Sequence, residues 1–355
     1  MDTSFFHTLA ALALQPWVLL ILAVALVFDF INGFHDAANA IATVVGTRVL
    51  RPGAAVLWAA FWCFSAAWGV GMAVANTVAK FVHVEWVTPE VIFAGLMGAI
   101  IWGLITWFFG LPTSSSHALL GGFSGAAIAH AGKLTGVIHM ERFLTTVAFI
   151  VIAPLIGFAL GFLLVVLVIR IFWRTAPGKI DRRFRIVQLF SSAAYSFGFG
   201  TNDAQKTMGI VAALFYATIW REQQAAFEAG AIEFPFWIVI VCYGAIATGM
   251  LFGGWRIVRT MGMRLTRLQP YGGACAETAG AISLLFASWL GVPVSTTQTI
   301  AGAIVGVGSV QRLSAVRWGI AARVVWAWVL TIPMSGLVGV LSFYAVHAWR
   351  GAAGG

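Results

Sequence analysis

Charge is what this sequence lacks. Lys, Arg, Asp and Glu together supply 9% of its 355 residues, against 61% hydrophobic ones, whereas soluble globular chains carry about 25% charged residues. That shortage excludes a water-soluble enzyme, a disordered chain and a coiled coil. The net charge of +9 does not point to a nucleic-acid partner, because the basic residues cluster in short stretches between apolar segments, as loops facing an anionic lipid bilayer do. Cysteine is also scarce. Cys63, Cys242 and Cys275 lie in apolar stretches with no CxxC pair, so neither a disulfide framework nor a fixed metal cage is expected. No HExxH, GxSxG or paired Cys–His spacing occurs, which argues against an intramembrane hydrolase and for a protein that is not an enzyme. No basic residue precedes Pro16, so the charged start of a cleavable signal peptide is missing and the first apolar segment is expected to stay in the mature protein. The 16 Trp fit interfacial belts rather than base stacking.

What the chain does have is long apolar runs. A helix needs about 20 apolar residues to cross the roughly 30 Å hydrocarbon layer. Such runs cover 17–47, 54–79, 91–109, 114–131 and 143–169, then 186–220, 235–255, 273–290, 294–310 and 324–347. The pattern predicts an all-α polytopic membrane protein of about ten to twelve transmembrane segments. It divides into two five-segment halves, 1–169 and 186–355, joined by a basic linker at 170–185. There Arg170, Arg174, Lys179, Arg182, Arg183 and Arg185 meet only Asp181, which puts the linker in the cytoplasm. Arg48 with Arg51, and Arg256 with Arg259, Arg264 and Arg267, mark further cytoplasmic loops, and Glu222, Glu228 and Glu233 an outer one. An odd number of crossings per half turns the second half upside down, the inverted-repeat plan of many secondary transporters, and puts both termini outside. The long runs 17–47 and 186–220 carry polar residues in their middles and are expected to be broken helices. The short runs 114–131 and 294–310 are rich in Gly and begin with hydroxyl residues after a Pro, and are expected to be arms of helical hairpins. Irregular backbone at membrane depth needs protein or a wet cavity around it, so a cavity is expected where these four segments meet.

Two polar constellations occur twice, in the same order. Gly33-Phe34-His35-Asp36-Ala37-Ala38-Asn39 matches Gly200-Thr201-Asn202-Asp203-Ala204-Gln205-Lys206 at Gly, Asp and Ala. Gly110-Leu111-Pro112-Thr113-Ser114-Ser115-Ser116-His117 matches Gly291-Val292-Pro293-Val294-Ser295-Thr296-Thr297-Gln298, with Gly121 and Gly125 matching Gly302 and Gly306. This is an internal repeat that carries polar chemistry. An Asp near the bilayer centre costs about 2.5–3.5 kcal/mol, so Asp36 and Asp203 need a partner or a role. With Asn39 and Asn202 they read as ligands of a coupling ion, helix caps at a break being the alternative. Pro112 and Pro293 each stop one helix, and the hydroxyls that follow open the next. Free N–H groups, a positive dipole end and the side chains of Ser114, Ser115, Ser116, Ser295, Thr296 and Thr297 then converge on an anion site. Hydroxyls bonded within their own helix are the competing use. Lys206 stands where the first half has Asn39; it can neutralise Asp203, attract the anion or replace a mobile cation. Glu277, in an otherwise apolar run with Cys63 or nearby apolar residues at the comparable place in the first half, joins the coupling-ion candidates. Asp29 reads equally as a helix partner, and His35 and His117 as satisfied interior groups.

On these residues the chain resembles the inorganic phosphate transporter (PiT) family. The matching phrases are FDFINGFHDAANAIATVVGTR at 28–48, FGLPTSSSHALLGG at 109–122, GTNDAQKTMG at 200–209 and AETAGAISLLFASWLGVPVSTTQT at 276–299, so the resemblance covers almost the whole chain. It implies secondary uptake of inorganic phosphate across the inner membrane by cation-coupled alternating access, with no resident cofactor. It also implies Asp36, Asn39, Asn202 and Asp203 as coupling-ion ligands, and the two hydroxyl triplets as the lining of the phosphate site. Lys206 makes the chain similar to the bacterial low-affinity branch, which is proton-coupled and carries phosphate partly as metal-phosphate; any metal would travel with the substrate. Gln298 stands where the family has His, so matched roles for His117 and Gln298 are not expected. A sodium-coupled phosphate symporter, a sulfate permease on the same scaffold and a passive channel are the rival readings. A homo-oligomer is left open.

Overall fold

The computed structural model describes residues 5–69, 71–223, 234–266, 268–311 and 316–353. In lipid every backbone N–H and C=O must find an internal partner, which favours helices. Among the described residues the chain forms thirteen α-helices: α1 (Phe5–Ala13), α2 (Pro16–Gly46), α3 (Pro52–Ser65), α4 (Ala73–Ala79), α5 (Pro89–Phe108), α6 (Ser115–Ala131), α7 (Met140–Phe172), α8 (Pro177–Thr218), α9 (Phe236–Phe252), α10 (Trp255–Arg259), α11 (Pro270–Trp289), α12 (Thr296–Gln311) and α13 (Trp318–Ala353). Proline opens α2, α3, α5, α8 and α11, where its missing N–H costs nothing. Helices α2, α5, α7 and most of α13 are long and apolar enough to cross a membrane, and α3 with α4 and α9 with α10 form two bent pairs that qualify together. Helices α8 and α11 are buried along most of their length; they carry the polar residues that face the interior.

One expectation is corrected, for both long runs. The runs 17–47 and 186–220 are not broken: α2 and α8 pass straight through Asp36 and Asp203. Neither has an internal proline, and their polar side chains bond to neighbouring helices, so the backbone ladder is undisturbed. The interruptions fall in the runs 54–79 and 235–255 instead. The second is a 61° bend at Gly253, whose φ of 62° suits only a residue without a Cβ. The basic linker is also largely helical, since α8 already begins at Pro177. Glu228, Glu233, Arg267 and the Arg264 side chain lie outside the described residues.

The two short Gly-rich runs do form hairpin arms. α5 turns into α6 at Gly110 (φ 65°), and α11 turns into α12 at Gly291 (φ 72°). Each turn closes the same way, by Leu111 N donating to Thr106 O and Val292 N to Ala287 O, both at 2.9 Å. This is the usual glycine helix stop. The second arms then cross over. A methyl group at Gly121 or Gly125 of α6 would strike Ile332 or Gly336 of α13, and one at Gly302 or Gly306 of α12 would strike Pro154 or Phe158 of α7. Small residues allow such close helix contact where lipid supplies no hydrophobic drive.

Helix ends sort onto two faces. The starts of α2 and α5 and the ends of α8 and α13 meet around Gln15, Glu90, Thr218 and Arg221, with Arg350 paired to Glu90. On the other face Arg185 of α8 donates to the Arg48 carbonyl just past α2, at 2.6 Å, and the end of α7 lies against the starts of α8 and α11. α2 and α8 therefore run in opposite directions, and so do the first hairpin arms α5 and α11.

Candidate substrate and ion site

The 3.6-residue helical repeat puts Asn32, Asp36, Asn39 and Thr43 on one face of α2, and Gln188, Ser191, Tyr195, Phe199, Asp203 and Lys206 on one face of α8. Those faces meet the two hairpin tips. Asp36, Asn39, Ser114, Ser116, Asn202, Asp203, Lys206, Ser295, Thr296 and Thr297 are each 2% exposed or less. Ser115 alone among the candidate hydroxyls is half-buried. Neither Asp is a helix cap, because both sit mid-helix.

The same hydrogen-bond chain is built twice with the halves exchanged. Asn39 Nδ2 donates to Thr297 Oγ1 at 2.8 Å, and Thr297 Oγ1 to the Thr113 carbonyl at 3.0 Å. Lys206 Nζ donates to Ser116 Oγ, and Ser116 Oγ to the Val294 carbonyl at 3.0 Å. Each helix of one half thus reaches the hairpin of the other through one hydroxyl, which in turn ties the two tips together. Ser114 and Ser295 cap α6 and α12, accepting from His117 N and Gln298 N at 3.2 Å each. This satisfies one orphan N–H per helix and leaves both positive dipole ends beside the cluster. His117 Nδ1 and Gln298 Nε2 face each other at 3.5 Å, so the two residues do occupy matched places although their chemistry differs.

The carboxylates are held differently. Asp36 Oδ1 lies 2.7 Å from His35 Nδ1, and its Oδ2 accepts from Ser115 Oγ at 3.0 Å. Asp203 Oδ1 pairs with Lys206 Nζ at 2.5 Å, and the same ammonium donates to the Val294 carbonyl at 3.0 Å. Lys206 is therefore an interior ion-pair partner and not a lysine stretching to the surface. Asn202 Nδ2 donates to Ser288 Oγ at 3.0 Å and to the Val292 carbonyl at 3.3 Å. The amide oxygens of Asn39 and Asn202 are buried without a partner.

Glu277 does not touch the hairpin tips. It sits on α11 as a separate node, accepting from Thr43 Oγ1 (2.6 Å), Gln188 Nε2 (3.1 Å) and Ser191 Oγ (2.6 Å); Thr43 lies one turn past Asn39 on α2. Its counterpart, counted from the Gly110–Gly291 match, is Leu96 of α5 and not Cys63 of α3. Sequence reasoning missed Asn32, Thr43, Gln188, Ser191 and Ser288. The stripe Asn32–Asp36–Asn39–Thr43 at helical spacing was the available signal for the first two. A cleft of about 800 Å³ beside Gly46, Arg48, Arg51 and Gly262 is not at this cluster; it opens on the second face, at the end of α2.

Long apolar helices, two hairpins meeting inside the bundle and a closed polar cluster at their tips define a multi-pass membrane transporter. A family model described as "Phosphate transporter family" matches residues 32–339, and the chain belongs to that family. It is 52% identical to a "Probable low-affinity inorganic phosphate transporter" of Rhizobium meliloti, over 93% of this chain and 96% of that protein. A protein of the same description from Bacillus subtilis is 40% identical, over 93% of this chain and 97% of the relative. Among solved structures, "The sodium-dependent phosphate transporter" superposes with a TM-score of 0.79 at 23% identity, covering 94% of this chain and 100% of that one. At that identity the superposition speaks for the fold.

Proposed function

We propose that this chain is a symporter that takes inorganic phosphate across the bacterial inner membrane with protons as the driving ion, the phosphate travelling in part as a metal complex. One observation carries the reading: the N-termini of α6 and α12 come together in the interior, cross-tied by Ser116 and Thr297. A dehydrated oxyanion there would exchange its water for the hydroxyls of Ser114, Ser115, Ser116, Ser295, Thr296 and Thr297, for backbone N–H groups and for two positive dipole ends. The opposite directions of α2 and α8, and of α5 and α11, support an inverted repeat of 1–169 and 186–355 about this point, with the basic linker 170–185 inside and both termini outside. In such a plan the two halves rock about a fixed central site.

Proton coupling is supported by Lys206. Its ammonium holds Asp203, Ser116 and a backbone carbonyl, an acceptor set that would suit a mobile monovalent cation, so the second half supplies its own fixed positive charge. Asp36 and Glu277 remain as carboxylates able to exchange a proton. A specific observation favours the second reading, sodium coupling: the unpartnered amide oxygens of Asn39 and Asn202 suit a hard cation. The experiment is uptake of radiolabelled phosphate into proteoliposomes under an imposed pH gradient, with and without sodium. Accumulation without sodium, competed by arsenate and not by sulfate, is the expected result. Accumulation only with a sodium gradient gives the second reading, competition by sulfate makes the protein a sulfate permease, and no concentrative uptake under either gradient defeats symport.

A further inference from the structure

Asp29 has no place in the scheme above. It lies on α2, two turns before Asp36, and is fully buried. Oδ1 accepts a hydrogen bond from Thr207 Oγ1 at 2.6 Å, and the Cys242 thiol on α9 is a second, weak donor to the carboxyl; no hydroxyl, amide or ammonium reaches Oδ2. The groups that face it are Asp203 and Lys206 of α8, with the thiols of Cys63 on α3 and Cys242 on α9 and the phenol of Tyr243 on α9. The Lys206 ammonium is already engaged with Asp203, Ser116 and the Val294 carbonyl, and His35 sits against Asp36. Of the three carboxylates Asp29, Asp36 and Asp203, two have a basic group in contact and Asp29 does not.

An ionised carboxylate stripped of water and left without a counter-charge costs several kcal/mol or more, and such a group takes up a proton instead. A hydroxyl and a thiol, the latter a weak donor, supply Asp29 with no counter-charge. We infer that Asp29 is a proton-binding site of the transport cycle: it carries a proton in the closed state and gives it up when its surroundings open. The inference rests on the proton-coupled reading and adds a residue to it. Its position supplies the link to the substrate site. Thr207, the hydrogen-bond donor to Asp29, directly follows Lys206. Asn32, one turn along α2, points Nδ2 at Asp203 Oδ2 at 3.5 Å while its Oδ1 has no partner. Loss of the Asp29 proton creates a second carboxylate that competes with Asp203 for the one ammonium, which loosens the Lys206 hold on Ser116 and on the second hairpin tip. Proton release and anion release are coupled through that competition.

The test compares wild type with Asp29→Asn, an isosteric side chain that cannot release a proton, and with Asp29→Glu. In proteoliposomes Asp29→Asn should lose phosphate accumulation driven by a pH gradient, falling to the level seen without one, yet keep phosphate–phosphate exchange at equal pH. Asp29→Glu should restore accumulation with a shifted pH profile. Infrared difference spectra of the purified protein, recorded on raising the pH, should show the carbonyl stretch of a protonated carboxylic acid disappearing in wild type and absent from Asp29→Asn. Undiminished accumulation by Asp29→Asn overturns the inference, and so does loss of exchange and accumulation together with an unchanged infrared band. Wild type that accumulates phosphate on sodium alone overturns the proton-coupled reading itself, before any variant is made.

Discussion

Asn39 and Lys206 occupy matched places, donate to matched hydroxyls and, through them, to matched carbonyls, yet one is neutral and the other is charged. The comparison separates what the duplicated architecture needs from what this chain adds. The architecture needs a donor that ties a helix of one half to the hairpin of the other. The added charge needs a counter-charge, which Asp203 provides three residues earlier on the same helix face. Asp36, opposite a neutral Asn39, instead takes a histidine and a hydroxyl from the first hairpin. The Asp203 node therefore carries its own fixed cation, whereas the Asp36 carboxylate is met by a histidine and by hydroxyls of both hairpins.

The largest expected effect comes from removing one donor at a time. Lys206→Ala leaves the Asp203 carboxylate buried and unpaired and should cost about 3–5 kcal/mol, whereas Asn39→Ala removes a neutral hydrogen bond at about 1 kcal/mol. Thermal unfolding in detergent reads both, and equal losses would mean that the two sites differ in name only. Lys206→Asn makes the halves alike. Phosphate uptake by that variant should become stimulated by sodium, since an ion can then fill the place of the ammonium; an unchanged cation requirement would make the lysine structural.

The crossed packing offers the next test. Gly125→Val on α6 and Gly306→Val on α12 each drive a side chain into the backbone of the other half's long helix, and overpacking of this kind costs about 1–3 kcal/mol. Matched losses of thermal stability are expected, and a loss at one site alone would break the equivalence of the hairpins. The smallest effect belongs to the connecting hydroxyls. Ser116→Ala and Thr297→Val each remove one link between a helix and the opposite tip, worth about 0.5–1.5 kcal/mol apiece, and should raise the half-saturating phosphate concentration by up to about tenfold without abolishing transport.

Much of this was legible in the sequence, for physical reasons. Apolar length announces membrane helices, and a Gly–Pro–hydroxyl phrase announces a helix stop followed by a capped start, so the hairpins and their tips could be read directly. Polar residues inside an apolar run were misread as breaks. Asp36, Asn39 and Asp203 demand partners, but those partners came from other helices, and nothing in a linear sequence tells a polar stripe facing a neighbour from a polar interruption. Glu277 was found as a buried charge, while its donors Thr43, Gln188 and Ser191 are ordinary residues whose convergence depends on how three helices pack. The bend between α9 and α10, by contrast, fell at Gly253, where backbone freedom at positive φ and not polarity set the place.

The claim that both hairpin tips hold one anion is tested most directly by thiol protection. With the native Cys63, Cys242 and Cys275 replaced by Ala, Ser115→Cys on α6 and Thr296→Cys on α12 each report on their own tip against a small permeant thiol reagent. Phosphate should slow labelling of both with the same concentration dependence, as a shared site requires. Protection of one cysteine only, or of the two over separate concentration ranges, would contradict it.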